Sequence, residues 1–408
     1  MSPKLVLYSG RQNNVRIRVF GIDPLRIESH RATFPELDLA RSFRDRIRSC
    51  ENEISTHREL PKDLANDLKQ AGLFRLLLPS TLGGSQLSLP KYLRCIEAIG
   101  EADGSVGWCV GQAGVFANGA DGYPPELTNI IWGDNPAAVV ATGTPVNCKA
   151  TEMGDIFQLT GRWRFASGCM HADWLAAQTD LVLEDGTEAP GLCLVPKDSV
   201  ELGDDWNVTG LRGTGSREYR TEALAVPKAQ VVPVEVFRSH CGAATGLSNG
   251  LLFASSFGSV GLGIARRAID SLIDLAQGKV RAFGNRKLME DEMVQVGLAQ
   301  AEAEWHSARA FLLEIADECA YLHKQESAPS GAARTRLRLA ATNAMRTSGK
   351  VVDKAYELAG SSAIFHDHPL YKCFQDIHAI TQQIQARPAH FRTVGRALIG
   401  LESEEDVR

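Results

Sequence analysis

The chain has 408 residues, 44% of them apolar and 23% charged. These fractions are ordinary for a globular protein and exclude a disordered chain, a fibre or a disulfide-stapled miniprotein. The net charge is −5, from 44 basic and 49 acidic residues, and neither end is strongly basic, so no nucleic acid and no membrane surface is expected as a partner.

Length alone gives a soft prior of two or three domains. Residues 1–30 lack a sustained hydrophobic period, and Gly21, Pro24 and the polar Arg11–Asn14 interrupt them. They read as a loosely attached extension. Met1–Phe20 has no continuous apolar core of the kind a signal peptide needs, and no run in the chain reaches the roughly 18 apolar residues that span a bilayer.

From Leu37 to Val115 the apolar positions keep a helical period, and a helical domain is expected over 31–135. Leu64, Leu68 and Leu73 share one side of a segment opened by Leu60-Pro61 and interrupted at Gly72. A second helix is expected over about 89–99 and a third over about 105–120. Between them, Glu101 to Ser105 supplies turn and N-cap chemistry. Near Pro136 the texture changes. Short apolar runs at Ala137–Thr142, Phe157–Leu159, Trp174–Thr179, Gly191–Val195 and Tyr219–Val226 alternate with turn pairs such as Asp185-Gly186 and Gly203-Asp204. That spacing predicts a small β-barrel domain over 136–235.

After Pro233 the helical period returns. Four long helices are expected, Leu247–Lys279, Met293–His323, Arg336–Leu358 and Phe374–Ile399, forming a bundle over 236–408. Gly258, Gly261 and Gly263 should let neighbouring backbones approach the first of them. The fold class is thus α+β: N-terminal helical domain, central β-barrel, C-terminal four-helix bundle.

The nine cysteines form no CxxC pair and are odd in number. They read as reduced buried thiols of a cytoplasmic protein. No metal site is expected, because His171, His366 and His368 lack ligand partners at helical or hairpin spacing.

Two stretches carry the functional signal: Phe157 to Gly168, ending Phe165-Ala166-Ser167-Gly168, and Trp206 to Ser216, ending Leu211-Arg212-Gly213-Thr214-Gly215-Ser216. With the helix–β–helix order they resemble the acyl-CoA dehydrogenase superfamily over about residues 35 to 400. Phe165 to Gly168 followed by His171-Ala172-Asp173-Trp174 is similar to one branch, the monooxygenases that use reduced flavin from a separate reductase. Ala102 to Trp108 and Gln300 to Glu304 resemble that branch too.

A flavin ring is flat and apolar on its faces and polar along one edge. Phe165 could pack on it, the Ala166 backbone and the Ser167 hydroxyl could bond its N5/O4 edge, and Gly168 allows close approach. The resemblance puts Ser167 where a hydroxyl bonds flavin N5. Trp163 stands two residues before Phe165 on one strand, so both are expected to point to one face, and Trp163 is either ring edge or barrel core. The glycine-rich loop offers Arg212, Thr214 and Ser216 as further flavin contacts. The resemblance also brings the loop at Gly360-Ser361-Ser362 toward flavin. Trp108 and Phe116 lie on a helix that lines the substrate cavity in the family; their other reading is core packing.

Two departures bear on the branch. Acyl-CoA dehydrogenases commonly carry a glutamate base shortly after Arg-Asp, but no carboxylate lies between Asp376 and Glu402. The diphosphate-binding Arg-x-x-Phe-Gly pattern is one residue short in Arg281-Ala282-Phe283-Gly284. Phenol-hydroxylating members usually have a histidine at the position of Gln383. Either His378 takes that role or the substrate needs no deprotonation, as for indoles, thioethers and amines.

The resemblance therefore implies a monooxygenase using reduced FMN or FAD and O2, through a C4a-hydroperoxyflavin, on a small aromatic or heteroaromatic substrate. It implies a homotetramer and a separate NAD(P)H:flavin reductase, since no GxGxxG fingerprint lies between a strand and a helix. The rivals are an acyl-CoA dehydrogenase with a displaced base and a flavin-free binding relative.

Overall fold

The computed structural model of the protein describes residues 33–233, 236, 242, 244–280, 285–325 and 328–401. The extension expected over 1–30, Cys241 and Arg281–Gly284 lie outside them. The chain divides into two compact units, Met1–Phe34 and Pro35–Arg408. Every helix and strand named here belongs to the second unit.

Four short helices, α1 (Pro35–Ser42), α2 (Arg44–Ser49), α3 (Glu51–His57) and α4 (Lys62–Gln70), lead to the longer α5 (Leu89–Ala102) and α6 (Gly104–Asn118). Only Asp103 separates α5 from α6. Its carboxylate accepts the amides of Ser105 and Val106 at 2.8 and 3.1 Å, the N-cap expected at this junction. α6 is buried all round except at Gln112, so it is a central helix with no solvent stripe.

Among the described residues the sheet has eight strands, ordered β6-β7-β3-β2-β4-β5-β8, with β1 pairing β4. They are β1 (Val140–Thr142), β2 (Thr144–Met153), β3 (Ile156–Arg164), β4 (Trp174–Val182), β5 (Glu188–Pro196), β6 (Glu201–Leu202), β7 (Tyr219–Pro227) and β8 (Val231–Pro233). β4 is parallel to β1 and β2; the other pairings are antiparallel. Its core holds Phe157, Leu159, Trp163, Leu175 and Tyr219.

The sequence pattern does not predict β2. Only Cys148 and Ala150 of its residues are buried, and a register shift between Val146 and Lys149, with Asn147 at φ +52°, breaks its alternation. A mostly exposed strand with such an irregularity leaves no period-2 signal.

The C-terminal helices are α8 (Asn249–Gly278), α9 (Glu292–Lys324) and α10 (Gly331–Ala359), preceded by the short α7 (Pro125–Thr128) before the sheet and followed by α11 (Pro369–Gln382) and α12 (Ala389–Leu398). The expected fourth long helix is therefore two helices. Gln383 adopts an extended conformation, a tight turn covers Ile384–Ala386, and Pro388 cannot donate a helical amide bond. The glycines of α8 act as expected. A Cβ on Gly263 would lie 2.3 Å from the Glu97 carbonyl oxygen and 2.5 Å from the Glu101 amide, so α8 and α5 cross backbone to backbone. Among the described residues no helix is long and apolar enough to cross a membrane.

Candidate active site

Phe165 sits just past the end of β3 with φ +57°, a left-handed conformation that is uncommon for a bulky residue. It is 57% exposed. The Trp206 ring meets it edge-on at 6.2 Å, and the Arg164 guanidinium lies 5.4 Å from its centroid. The residues after it are stitched to the glycine-rich loop. Ala166 donates its amide to the Arg217 carbonyl at 3.3 Å, and Gly168 donates to that of Thr214 at 2.8 Å.

These bonds bring four predicted residues together. Trp108 on α6 donates its indole N–H to Ser167 Oγ at 3.1 Å. Ser167 Oγ lies 2.7 Å from Ser216 Oγ, which lies 2.7 Å from Thr214 Oγ1. Thr214 donates to the Leu211 carbonyl at 2.8 Å. Trp108 stacks on Phe257 of α8 at 3.6 Å and 3°, and Phe253 follows 5.6 Å from Phe257. An aromatic wall thus stands beside a line of hydroxyls.

The loop is anchored from below by buried charge. Asp376 on α11 accepts the Leu211 amide at 2.7 Å and pairs with Lys372 at 2.7 Å. Lys372 also lies 3.3 Å from Asp103, and Ser105 Oγ accepts the Gly213 amide at 3.1 Å. Burial alone would lower the Lys372 pKa, but Asp103 and Asp376 outweigh it and hold the ammonium charged. Burial raises Asp376, against the pull of Lys372. Paired on both oxygens and 3% exposed, Asp376 cannot serve as the displaced base of a dehydrogenase.

His171 lies beside the site: its Nε2 would be 3.2 Å from a Cβ on Gly168. That nitrogen is buried with no hydrogen-bond partner. Burial, and then the charges of Lys69 and Lys197, push its pKa down to about 3, so the ring is neutral. The described cysteines are free and buried, and burial raises Cys109 and Cys169 so that both stay protonated. Among the described residues no cluster could hold a metal ion.

Other predicted residues are placed elsewhere. Trp163 shares no face with Phe165. It is fully buried in the sheet core, stacks on Tyr219 at 4.9 Å and donates to the Gln178 carbonyl, because Phe165 has already left the strand. Ala166 and Gly168 are buried and their amides are spent, so the Ala166 backbone offers no free donor. Arg212 clamps its own loop, donating to the Ser55 and Val208 carbonyls. Thr214 and Ser216 are buried behind Ser167.

Phe116 belongs to a core cluster with Leu78, Tyr123, Leu127 and Trp132, so it packs rather than lines the aromatic wall. His378 is half-buried and lies 2.8 Å from Asp353. Two residues from Asp376, it stands about 200° round α11 from the side that holds the loop. Gln383 accepts the Gln385 amide at 2.6 Å and caps a turn. Gly360 ends α10 at φ +59°, with Ser361 exposed and Ser362 half-buried beyond it. Among the described hydrogen bonds none joins His378, Gln383 or Gly360–Ser362 to Ser167. A separate small crevice lined by Phe74, Ala113, Trp132 and Val139 among others includes no predicted site residue.

Sequence reasoning missed Lys372, Phe257 and the anchoring role of Asp376. The Lys372–Asp376 pair has i,i+4 spacing and was legible. Phe257 had no signal, because the partner of a stacked ring is set by tertiary packing.

Known proteins resemble the chain over most of its length. Residues 37–120 match the acyl-CoA dehydrogenase N-terminal domain and 255–388 the acyl-CoA dehydrogenase C-terminal domain. Indole-3-acetate monooxygenase of Pseudomonas putida is 32% identical over 359 residues, covering 88% of this chain and 91% of that protein. The flavin-dependent monooxygenase oxygenase subunit HsaA of Rhodococcus jostii is 28% identical over 348 residues, 82% of this chain and 90% of its own. The crystal structure of 3-HSA hydroxylase from Rhodococcus sp. RHA1 shares the fold, with a TM-score of 0.83 at 23% identity, covering 91% of this chain and 98% of that one. The chain belongs to the acyl-CoA dehydrogenase family, among its flavin-dependent monooxygenase oxygenase components.

Proposed function

We propose that the protein is the oxygenase component of a two-component system that takes reduced FMN or FAD and O2 and oxygenates a small aromatic or heteroaromatic substrate of the indole type. The observation that carries this reading is the Ser167 hydroxyl, fixed from two sides at 3.1 and 2.7 Å beside the exposed ring of Phe165. A flat ring with one polar edge fits that pairing. The bound reduced flavin would supply the electrons that activate O2. The chain's own part is to hold the ring on Phe165, to bond its edge through Ser167, and to keep water out with Trp108 and Phe257.

The Trp108–Phe257 wall favours a flat apolar substrate. His171 is held neutral and His378 is turned away, so the site supports a substrate that needs no deprotonation. The Pseudomonas putida relative is named for indole-3-acetate, which is such a substrate. A separate reductase completes the reaction, as the oxygenase-subunit name of the Rhodococcus relative suggests. Exposed Ile364, Phe365, Ile384, Leu398 and Ile399 on the C-terminal segment support burial against other copies of the chain, in a homotetramer.

The test supplies the protein with NADH, a flavin reductase and FMN or FAD under isotopically labelled O2, with indole, indole-3-acetate and phenols as candidates. One labelled oxygen atom in a product, dependent on this protein, is the expected result. Flavin turnover without labelled product from any of them would overturn the reading.

A further inference from the structure

The hydroxyl line behind Ser167 has only one consistent direction. The Leu211 carbonyl can only accept, and Thr214 gives it its single hydroxyl proton at 2.8 Å. The 2.7 Å contact between Thr214 and Ser216 is therefore donated by Ser216. Ser216 has then spent its one proton, so its 2.7 Å contact with Ser167 is donated by Ser167. At the other end the Trp108 indole can only donate, and it does so to Ser167 Oγ at 3.1 Å. Ser167 thus points its proton inward and keeps one lone pair unspent.

We infer that Thr214 and Ser216, anchored on the Leu211 carbonyl, fix Ser167 as a hydrogen-bond acceptor and thereby select the reduced flavin over the oxidised one. The inference rests on the proposed function, with Ser167 facing the N5 edge. In the reduced ring N5 carries a hydrogen and donates; in the oxidised ring it is a bare acceptor. The reduced ring meets a waiting lone pair. The oxidised ring would meet lone pair against lone pair unless Ser167 turned its proton outward. That turn requires Ser216 and Thr214 to reverse as well, and it breaks the Thr214–Leu211 bond. Leu211 then keeps only the Thr214 amide, at 3.1 Å. Thr214 and Ser216 are 1% and 3% exposed, so water does not replace the lost partner. Neither needs to touch the flavin; both are positioning residues that act through Ser167.

The test is a pair of affinities. Oxidised FMN and FAD are titrated by fluorescence, and photoreduced flavin is titrated anaerobically, against the full chain and three variants. The wild-type protein should bind the reduced form at least about tenfold more tightly, the worth of one hydrogen bond made or opposed. Thr214→Val removes the anchor, so Ser167 can donate outward; the ratio should fall several-fold, chiefly through tighter oxidised-flavin binding. Thr214→Ser keeps the hydroxyl and should keep the ratio. Should Thr214→Val fail to fold, Ser216→Ala cuts the same line one step nearer Ser167 and should give the same fall. An unchanged ratio in the folded variant would overturn the inference while leaving the proposed function standing. Binding of neither redox form by the wild-type protein would instead overturn the proposed function.

Discussion

Phe165 combines two features that stability does not favour: φ of +57° and an aromatic ring 57% exposed. Such a conformation costs on the order of 1–3 kcal/mol, and strain of this kind clusters at functional sites. Phe165→Ala should change stability by less than about 1 kcal/mol and weaken reduced-flavin binding about tenfold, checked by thermal melts and anaerobic titration. A loss of stability with affinity intact would make Phe165 a packing residue. His171 gives a pH signature. Its folded pKa of about 3 lies below its ordinary value of 6.5. Between those values the unfolded chain binds a proton that the native state refuses, so stability falls as pH drops through that window, by up to about 1.4 kcal/mol per pH unit. His171→Gln should flatten the fall in Tm between about pH 6 and pH 4, and an equal fall in both proteins would contradict the assignment. At this scale Ser167, Thr214, Ser216 and Trp108 were legible, because short hydroxyls in glycine-rich loops and a tryptophan on an apolar helix are visible as types. The Trp163–Phe165 pairing was not, because period-2 reasoning assumes that the strand continues. Phe116 could not be told from Trp108, since a helix buried on all sides has no periodicity to say which face meets a ligand.

Helix crossings at glycine decide how closely the elements pack. Gly263→Ala would force a methyl to within 2.3 Å of the Glu97 carbonyl oxygen, a backbone atom that cannot swing aside. It should lower stability by about 2 kcal/mol or more in urea unfolding. Gly278→Ala, where an added Cβ meets nothing within 4 Å, serves as the control and should be near neutral or stabilising. Equal midpoints for the two variants would contradict the backbone crossing. The glycine pattern of α8 and the Asp103 cap were readable because each rests on local chemistry. β2 and the α11–α12 break were not. The first is a mostly exposed strand with a register shift, and the second turns on how Gln383 and Pro388 act together after a continuous apolar pattern.

Across the whole molecule, the Lys372–Asp103–Asp376 group joins the α5–α6 turn, α11 and the glycine-rich loop at one buried point. Removing the cation strands two buried carboxylates. Lys372→Met should cost about 3–5 kcal/mol in urea unfolding, and wild-type stability would show that the charges are not coupled to the fold. The helix–β–helix order was visible from composition and turn spacing, but this junction was not, since its members lie 273 residues apart at the extremes, from Asp103 to Asp376. In the proposed function this junction holds the loop whose hydroxyls set Ser167 to receive reduced flavin, and that role is tested most directly by stopped-flow absorbance, mixing the anaerobic protein and photoreduced FMN or FAD with oxygenated buffer. Oxidised-flavin absorbance should return later and in more than one phase compared with free flavin, with a faster, single return in Ser167→Ala. Return at the rate of free flavin in the wild-type protein would contradict that role.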